Sequence, residues 1–293
     1  MFRDVDLCTL VPDTLAWFQK NKRDLPWRNT TDPYAIWLSE IMLQQTRVEA
    51  VIPYYQRFLQ KLPTIRDLAE CPEDQLLKLW EGLGYYSRVR NMQKAARVMV
   101  ESNHGQMPSR YDEIIRLPGI GAYTAGAIAS RVFDEVVPAV DGNVLRILTR
   151  LTEDDSDIAK DKTKKAASAW VGEVMQRSVL PQDSGAFNQA LMEIGATVCV
   201  PNGAPHCGEC PWQAVCMARR NETIDVYPCK SKSKPRRIEN KTVLLIMDDQ
   251  RIFIRKRPNK GLLAGLYEFP SFEGKLDRSD CIDMVRSMGF EPL

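Results

Sequence analysis

Two acidic side chains stand where a carboxyl group could do chemistry, and the first is Glu40. On a helix it would share a face with apolar side chains such as Trp37 and Leu43. Apolar surroundings disfavour the charged form of a carboxyl group, so Glu40 could keep a proton near neutral pH and act as a general acid. The alternative is an ordinary helical glutamate exposed to solvent.

The second acidic side chain, Asp141, follows the apolar stretch 136–140 and opens the segment Asp141–Arg146. Because the segment after it has a helical pattern, the local sequence favours an N-cap, a common position for aspartate. A catalytic function for Asp141 therefore has to be indicated by other features of the chain.

Four of the eight cysteines form a compact group with the spacing Cys199-x7-Cys207-x2-Cys210-x5-Cys216. Zinc ribbons usually pair two separated CxxC knuckles, whereas this group has a single one. Four thiolates in one loop favour a [4Fe-4S] cluster, with zinc as the alternative. His206 is a less favoured substitute for Cys207 as a ligand.

A glycine-rich turn, Leu117–Ala125, joins two predicted helices. Its two glycines, Gly119 and Gly121, permit positive φ and close approach of another backbone. Free N–H groups at the start of the second helix could bind a DNA phosphate. A helix–helix turn without a ligand is the alternative.

The overall composition gives little sign of the partner. The 293 residues carry 40 basic and 38 acidic side chains, so any contact with DNA requires local clusters of charge, with Arg47, Arg88 and Arg90 as candidates. No apolar run is long enough to cross a membrane, and acids near the N-terminus argue against a signal peptide. We therefore expect a cytoplasmic protein that has no membrane partner. If its local charge clusters bind DNA, we expect the protein to associate with the bacterial nucleoid.

Hydrophobic periodicity predicts a mostly helical chain up to about residue 225, with few strands. A basic segment then predicts a linker, and Thr242–Met247, a turn at 248–250 and Ile252–Ile254 predict a β-hairpin. The predicted helices are Thr14–Asn21, Pro33–Gln45, Pro72–Glu81, Arg90–Glu101, Tyr111–Leu117 and Tyr123–Val132.

The glycine turn, the aspartate that follows it and the four-cysteine loop together resemble the endonuclease III superfamily of helix-hairpin-helix DNA glycosylases. Within it, Trp37–Thr46, Trp80–Arg88 and Asp141–Arg146 are similar to motifs of the MutY-type adenine glycosylases. The resemblance spans roughly residues 13 to 270.

This resemblance implies a two-lobed helix-hairpin-helix fold with a [4Fe-4S] loop, a linker and a truncated NUDIX-like α+β domain. The glycosylase domain would comprise residues 1–228, with a six-helix lobe at about 30–135. The iron-sulfur lobe would combine the N-terminal helix with about 136–228. The linker would cover 229–240 and the partial NUDIX-like domain 241–293.

The resemblance also implies an activity, the excision of adenine paired with 8-oxoguanine or guanine in double-stranded DNA, by a monomer. Glu40 would protonate adenine at N7, and Asp141 would stabilise the positively charged sugar. Tyr123 and Asn143 would support these two acids.

Residues expected to contact the DNA or the lesion are Gln45, Thr46, Leu83, Tyr85, Arg88, Gly119 and Gly121. Residues expected to line the adenine pocket are Arg23, Leu25, Trp27, Arg28, Leu43 and Gln189; core packing is the alternative for the aromatic residues.

Tyr123 separates subfamilies, because endonuclease III has a lysine nucleophile at this position. Since a tyrosine cannot form a Schiff base, we expect base excision without efficient strand cleavage.

Two departures from the family pattern matter. The gap between Cys199 and Cys207 is one residue longer than usual, and we expect the cluster to tolerate this. No recognition loop containing serine and histidine follows the NUDIX-like segment, which predicts a weakened preference for 8-oxoguanine over guanine.

Three other functions are left open by the sequence. A glycosylase for thymine in T·G mismatches would also lack the lysine, but an acid directed at N7 suits a purine. A non-catalytic DNA-binding module would not need both Glu40 and Asp141. A zinc-stabilised interaction domain would be colourless.

Overall fold

The computed structural model describes residues 2, 5–232, 235–258 and 261–292. Backbone proximity divides the chain into two units, residues 1–231 and 232–293. The predicted linker at 229–240 spans this boundary. Its residues 233 and 234 lie outside the described part of the chain, as do Met1, Arg3 and Asp4 of the N-terminus that we interpreted as lacking a signal peptide.

The first unit is helical, as the periodicity predicts. Its α-helices in chain order are α1 Val11–Asn21, α2 Pro33–Met42, α3 Val48–Lys61, α4 Ile65–Glu70, α5 Glu73–Trp80, α6 Ser87–Ser102, α7 Tyr111–Ile114, α8 Ala122–Val132, α9 Gly142–Thr152, α10 Asp161–Ser178, α11 Ser184–Glu193 and α12 Met217–Arg220.

Local signals start the helices that matter most for the site. Asp32 caps α2 by accepting from the Tyr34 N–H at 3.0 Å, and Pro33 follows where no helical N–H bond is needed. Gly121 stands at the N-cap of α8, and Asp141 caps α9. Each of these helices therefore begins at a defined residue, which fixes the side chains in its first turn.

Helices α2 to α6 surround one apolar core. Trp37, Phe58, Trp80 and Met92 are among its most deeply buried side chains, and the rings of Phe58 and Trp80 meet edge to face at 5.9 Å. This packing holds α2 in place, and α2 in turn packs against α8.

A second core forms where the N-terminal segment meets the later helices. Phe2 and Leu7 are buried together with Leu148, Phe187 and Trp212. Helix α11 contacts α1, α8 and α9. Elements of both cores therefore converge around α8, α9 and α11.

Four predicted helix boundaries are wrong by three residues. Helix α6 begins at Ser87 rather than Arg90, and α7 ends at Ile114 rather than Leu117. The other two have clear physical reasons. Helix α1 begins at Val11 rather than Thr14, because a short turn at Leu7–Leu10 leads into it and Pro12 lies within its first turn. Helix α2 ends at Met42 rather than Gln45, because Gln45 takes a left-handed conformation with φ +58°.

The second unit contains short antiparallel ladders and one helix, α13 Arg278–Ser287. Its strands are β1 Lys241–Val243, β2 Met247–Asp248, β3 Arg251–Ile252, β4 Arg255–Lys256, β5 Tyr267–Glu268 and β6 Ser271–Glu273. The pairs are β1 with β6, β2 with β3 and β4 with β5.

The predicted hairpin is shorter than its sequence pattern indicates. Met247 pairs with Ile252 in β2 and β3, but Thr242 pairs with Phe272 in β1 and β6. The predicted strand Thr242–Met247 is thus divided between two ladders, because its first half finds a partner farther along the chain. Among the described helices, none combines the length and apolar character needed to cross a membrane.

Candidate active site

Glu40 and Tyr123 meet where α2 packs against α8. The Tyr123 hydroxyl donates a hydrogen bond to Oε2 of Glu40 at 2.8 Å. Burial raises the pKa of Glu40, while the Tyr123 hydrogen bond and the charges of Arg131 and Arg28 lower it in part. The negative charge of Asp141 acts in the upward direction as well. A carboxyl group in this environment holds its proton to a higher pH than an exposed glutamate does.

Asp141 both caps α9 and presents an oxygen to the site. Its Oδ1 accepts from the Val144 N–H at 2.8 Å, and its Oδ2 accepts from the Asn143 amide at 2.8 Å. Burial raises the pKa of Asp141, whereas these hydrogen bonds and the nearby Arg146 lower it. The N-cap alternative and a chemical function are therefore compatible, since different oxygens serve them.

A continuous chain of hydrogen bonds runs from Asp141 toward Cys199. Arg146 donates to Oδ1 of Asn143 at 2.9 Å and to the carbonyls of Gly195 at 2.6 Å and Cys199 at 2.8 Å. A Cβ atom at Gly195 would lie 2.7 Å from Cβ of Asn143, so only glycine fits there. In the sequence, Arg146 belongs to a motif, and no role of its own was predicted for it.

The four predicted metal ligands line one small cavity of about 30 Å³, together with Arg150, whose guanidinium donates to Sγ of Cys199 at 3.3 Å. His206 is exposed and does not line this cavity. The extra residue of the first cysteine gap falls in the exposed loop 201–204, where Gly203 has φ +77°. The longer gap thus leaves Cys199 and Cys207 at the same cavity.

The arrangement of the thiols bears on which metal they suit. Within the described residues, no three His, Cys, Asp or Glu side chains are arranged to hold a metal ion. A single zinc ion needs its four sulfur atoms about 2.3 Å from one point, whereas a cubane spreads them over four irons. Burial also raises the pKa of the Cys210 thiol, to about 12, so the thiol stays protonated unless a metal displaces the proton.

Two predicted DNA-contacting side chains, Gln45 and Tyr85, project from strained turns. Both have left-handed backbones, with φ +58° and +46°, and both are exposed, Tyr85 by 62%. Thr46 is partly buried, and Leu83 is only 7% exposed. Leu83 can therefore offer little surface to a DNA base.

The guanidinium of Arg88 is directed at main-chain carbonyls. It is partly buried and donates to several of them, including those of Gln44 at 2.6 Å and Leu83 at 2.9 Å. These bonds engage both terminal nitrogens, whereas Nε has no hydrogen-bond partner among the described residues, and a contact between Arg88 and DNA stays a prediction. Arg90, another candidate for a DNA contact, pairs with Glu73 at 2.7 Å.

The two glycines of the glycine-rich turn differ in backbone conformation. Gly119 has φ +77°, and a Cβ atom there would lie 2.5 Å from Cβ of Asn91. Gly121 has an ordinary φ of −98°, with open space where a side chain would be. The prediction that both glycines serve positive φ is therefore wrong for Gly121, which instead leaves the start of α8 uncovered.

Two residues predicted for the adenine pocket, Arg23 and Arg28, converge on Glu193, which is 1% exposed. Each donates two side-chain hydrogen bonds to it, at 2.7 to 3.1 Å. Burial favours a higher pKa for Glu193, but these bonds outweigh it and lower the pKa to about 2. Sequence reasoning missed Glu193; its one signal is a carboxylate within the apolar run 190–195.

The remaining predicted pocket residues do not share one cavity. Arg28 and Gln189 line a cavity of about 220 Å³ that neither Glu40 nor Asp141 lines. Leu25 and Trp27 are buried, and the Trp27 ring packs edge to face on Tyr55 at 5.4 Å, as its core-packing alternative predicts. Leu43 is partly buried outside that cavity. Arg131, which the sequence did not single out, donates to the Trp27 carbonyl and acts on Glu40 through its charge.

The chain matches the profile of a protein family over part of its length. The profile of the HhH-GPD superfamily, base excision DNA repair proteins, matches residues 38–173. This range includes Glu40, Tyr123 and Asp141.

Curated relatives extend the match to most of the chain. The adenine DNA glycosylase of Rattus norvegicus is 38% identical over 92% of this chain and 62% of its own length. The adenine DNA glycosylase of Buchnera aphidicola subsp. Acyrthosiphon pisum is 37% identical over 89% of this chain and 73% of its own length. The chain thus spans about three fifths of the length of the rat relative.

Solved structures share the fold. A thermostable thymine-DNA glycosylase, 26% identical, covers 73% of this chain and 96% of its own, with a TM-score of 0.63. Endonuclease III in a non-covalent complex with DNA, 22% identical, covers 74% of this chain and 99% of its own, with a TM-score of 0.60. The predicted mostly helical glycosylase fold is confirmed over the matched part.

Proposed function

We propose, because this chain belongs to the adenine DNA glycosylase family, that it hydrolyses the N-glycosidic bond of adenine in double-stranded DNA. The observation that carries the proposal is the pair of partly buried carboxyl groups, Glu40 held by Tyr123 and Asp141 held by Asn143. The negative charge of Asp141 helps to raise the pKa of Glu40. Two carboxyl groups, each held by its own hydrogen-bond partner, are suited to act as a general acid and as a stabiliser of positive charge.

Each carboxyl group has a defined task in this proposal. Glu40 transfers its proton to N7 of adenine, so the bond between N9 and C1′ breaks with its electrons on the base. The ionised Asp141 stabilises the positive charge that develops on the sugar. Water then adds to C1′ and loses a proton, which leaves free adenine and an abasic site.

Access to the glycosidic bond requires the adenine to leave the base stack, at a cost of a few kcal/mol that is lower in a mismatch. The exposed side chains of Gln45 and Tyr85 are suited to fill the vacated space. Gln189 is the member of the predicted adenine pocket that we assign to the base, and Arg23 and Arg28 would act through Glu193. The uncovered start of α8 at Gly121 is suited to a DNA phosphate.

We also propose that the enzyme leaves the abasic strand intact. Strand cleavage would require an amine, such as that of a lysine, to form a Schiff base with the sugar. The cations whose charges lower the pKa values of Glu40 and Asp141 are arginines, Arg28, Arg131 and Arg146, and an arginine does not form a Schiff base. Tyr123 occupies the position at which the resemblance implies a lysine in endonuclease III.

Cys199, Cys207, Cys210 and Cys216 would hold a [4Fe-4S] cluster. Their shared cavity and the single CxxC spacing, where a zinc ribbon usually has two, support the cluster over zinc. When bound, such a cluster cross-links the loop 199–216 and leaves the hydrolysis to the two carboxyl groups. Residues 241–293 would form a partial NUDIX-like domain, and we propose that the preference for 8-oxoguanine over guanine is therefore weakened.

Thymine excision from T·G mismatches is the second candidate, supported by the likeness to the thymine-DNA glycosylase structure. The adenine glycosylases named above are more similar in sequence, and a protonated Glu40 suits the N7 of a purine, which thymine lacks.

The test uses duplexes that contain A·8-oxoguanine, A·G or T·G, followed by alkali to cut at abasic sites. We expect release of adenine from the first two duplexes and no cleavage of T·G. Without alkali the strands should stay intact, and borohydride should trap little enzyme on abasic DNA. Release of thymine alone, or strong trapping, would overturn the corresponding part of the proposal.

A further inference from the structure

One arginine joins the two turns that carry Gln45 and Tyr85. The Nη1 group of Arg88 donates to the carbonyls of Ile41 at 2.9 Å, Met42 at 3.1 Å and Gln44 at 2.6 Å. Its Nη2 group donates to the carbonyls of Leu83 at 2.9 Å and Gly84 at 3.2 Å. A single guanidinium therefore binds the end of α2 and the turn before α6.

Each set of carbonyls directly precedes an exposed residue with a left-handed backbone. Gln45 follows Gln44, and Tyr85 follows Gly84. Such conformations are unfavourable for residues other than glycine and persist only when the surroundings impose them. The bonds from Arg88 are the described contacts that link the two turns to one another.

The guanidinium is suited to this task by shape rather than by charge alone. The last carbonyls of α2 have no helical partner, and a cation near them is favourable. The plane of Arg88 also lies 5.4 Å from the Trp80 ring and 5.6 Å from the Tyr85 ring. A lysine offers donors around one point and cannot reach both turns in this way.

We propose that Arg88 is a positioning residue that fixes the spacing of Gln45 and Tyr85 and thereby enables extrusion of the target base. The proposal rests on the function proposed above. Arg88 itself contacts neither the adenine nor the carboxyl groups; it acts through the two exposed side chains.

The direct test measures extrusion separately from chemistry. With 2-aminopurine as the target base, its fluorescence rises when the base leaves the stack. In a Glu40→Gln background, which keeps the base attached, saturating protein should raise the fluorescence, and Arg88→Lys should abolish most of that rise.

With the natural acid present, Arg88→Lys should slow excision from A·8-oxoguanine at least about tenfold. Adenine in an unpaired bulge, which needs no extrusion from a pair, should lose less than about threefold.

Arg97→Lys is the matched control, since Arg97 lies on the same helix and donates through Nε to one carbonyl, that of Ala69, at 3.1 Å. It should leave both measurements unchanged.

A double-mutant cycle separates positioning from loss of folding. In a Gln45→Ala, Tyr85→Ala background, Arg88→Lys should cause little further loss. An equal fractional loss in both backgrounds, or on paired and bulged substrates alike, would overturn the proposal. Failure of the unmodified chain to excise adenine would instead refute the proposed function.

Discussion

The hydroxyl of Tyr123 donates a 2.8 Å hydrogen bond to Oε2 of Glu40, although the two residues lie 83 positions apart. The packing of α2 on α8 makes this contact, and it places a phenol where its proton stabilises the ionised form of the carboxyl group. Burial acts in the opposite direction and prevails in the pKa of Glu40. The protonation of Glu40 is therefore set by two opposing effects that can be separated by mutation.

The first prediction concerns the pH dependence of excision. A general acid must be protonated, so the rate should fall as pH rises through the pKa of Glu40, which lies above its ordinary value. Asp141 must be ionised, so the rate should also fall as pH decreases through its raised pKa. Single-turnover rates between pH 4 and 9 should give a bell-shaped curve whose two limbs belong to the coupled pair. A flat profile would contradict these assignments.

Tyr123→Phe should move one limb of that curve. Removing the hydroxyl removes a hydrogen bond that lowers the pKa of Glu40, so the alkaline limb should shift to higher pH. The same rate series on the variant measures the shift. If the alkaline limb moves to lower pH, the hydrogen bond does not favour the ionised carboxylate as described.

Glu193 should make stability depend on pH in the acid range. Its folded pKa of about 2 lies below the ordinary 4.5, so its stabilisation is complete above pH 4.5 and is lost as pH falls toward 2. The difference corresponds to about 3 kcal/mol as an order of magnitude. Glu193→Gln should remove a similar amount at pH 7, because Arg23 and Arg28 lose their partner. Urea unfolding of both proteins across pH 3 to 7 measures the difference, which should narrow toward acid.

Glu173→Gln is the control for that experiment. Glu173 pairs with Arg177 on an exposed helix face at 3.7 Å, and such pairs contribute less than about 1 kcal/mol. A loss at Glu193 no larger than this control would show that the buried pair contributes little.

Close packing at Gly195 should couple two parts of the site. Gly195→Ala would press a methyl group against Asn143, which supports Asp141, from the segment that leads to Cys199. We expect a loss of stability of about 1 to 3 kcal/mol and at least about tenfold slower excision. Gly172→Ala, whose Cβ would meet Pro138 at an ordinary 3.5 Å, should change neither quantity appreciably. Wild-type rates in Gly195→Ala would show that the contact does not matter for catalysis.

The cysteine loop makes a prediction about metal content. Protein purified without oxygen should be brown, absorb near 400 nm and contain about four iron atoms per chain. Cys210→Ser should lower the iron content, and Cys71→Ser, at a buried cysteine outside the loop, should not. Colourless protein with one zinc ion per chain would contradict the cluster.

Much of the fold follows from local signals, but several contacts do not. Asp32 with Pro33 and the Gly119 turn mark helix ends that periodicity alone identifies to within a few residues. The carbonyls at the end of α2 are bound by Arg88, which is 44 to 47 positions away from them in the chain. No local pattern can report a contact at that separation, and the sequence therefore assigned Arg88 to DNA.

The prediction of the site residues is limited in the same way, because local patterns do not report contacts between distant parts of the chain. Glu40 and Asp141 were identified from motifs that resemble a family, whereas helix periodicity alone favoured ordinary roles for both. Glu193 and Arg131 were missed, because their functions arise from ion pairs and carbonyl contacts made across the fold. Residues that act through long-range partners become visible only once the helices are packed.

The most direct test of the account is a paired measurement of excision and binding on an A·8-oxoguanine duplex. Glu40→Gln keeps the size and the hydrogen-bonding capacity of the side chain but removes its transferable proton. We predict that single-turnover release of adenine falls by at least about a thousandfold while the affinity for the duplex changes by less than about threefold. Release at the wild-type rate by Glu40→Gln would contradict the central claim that the partly buried carboxyl group on α2 supplies the proton to the departing base.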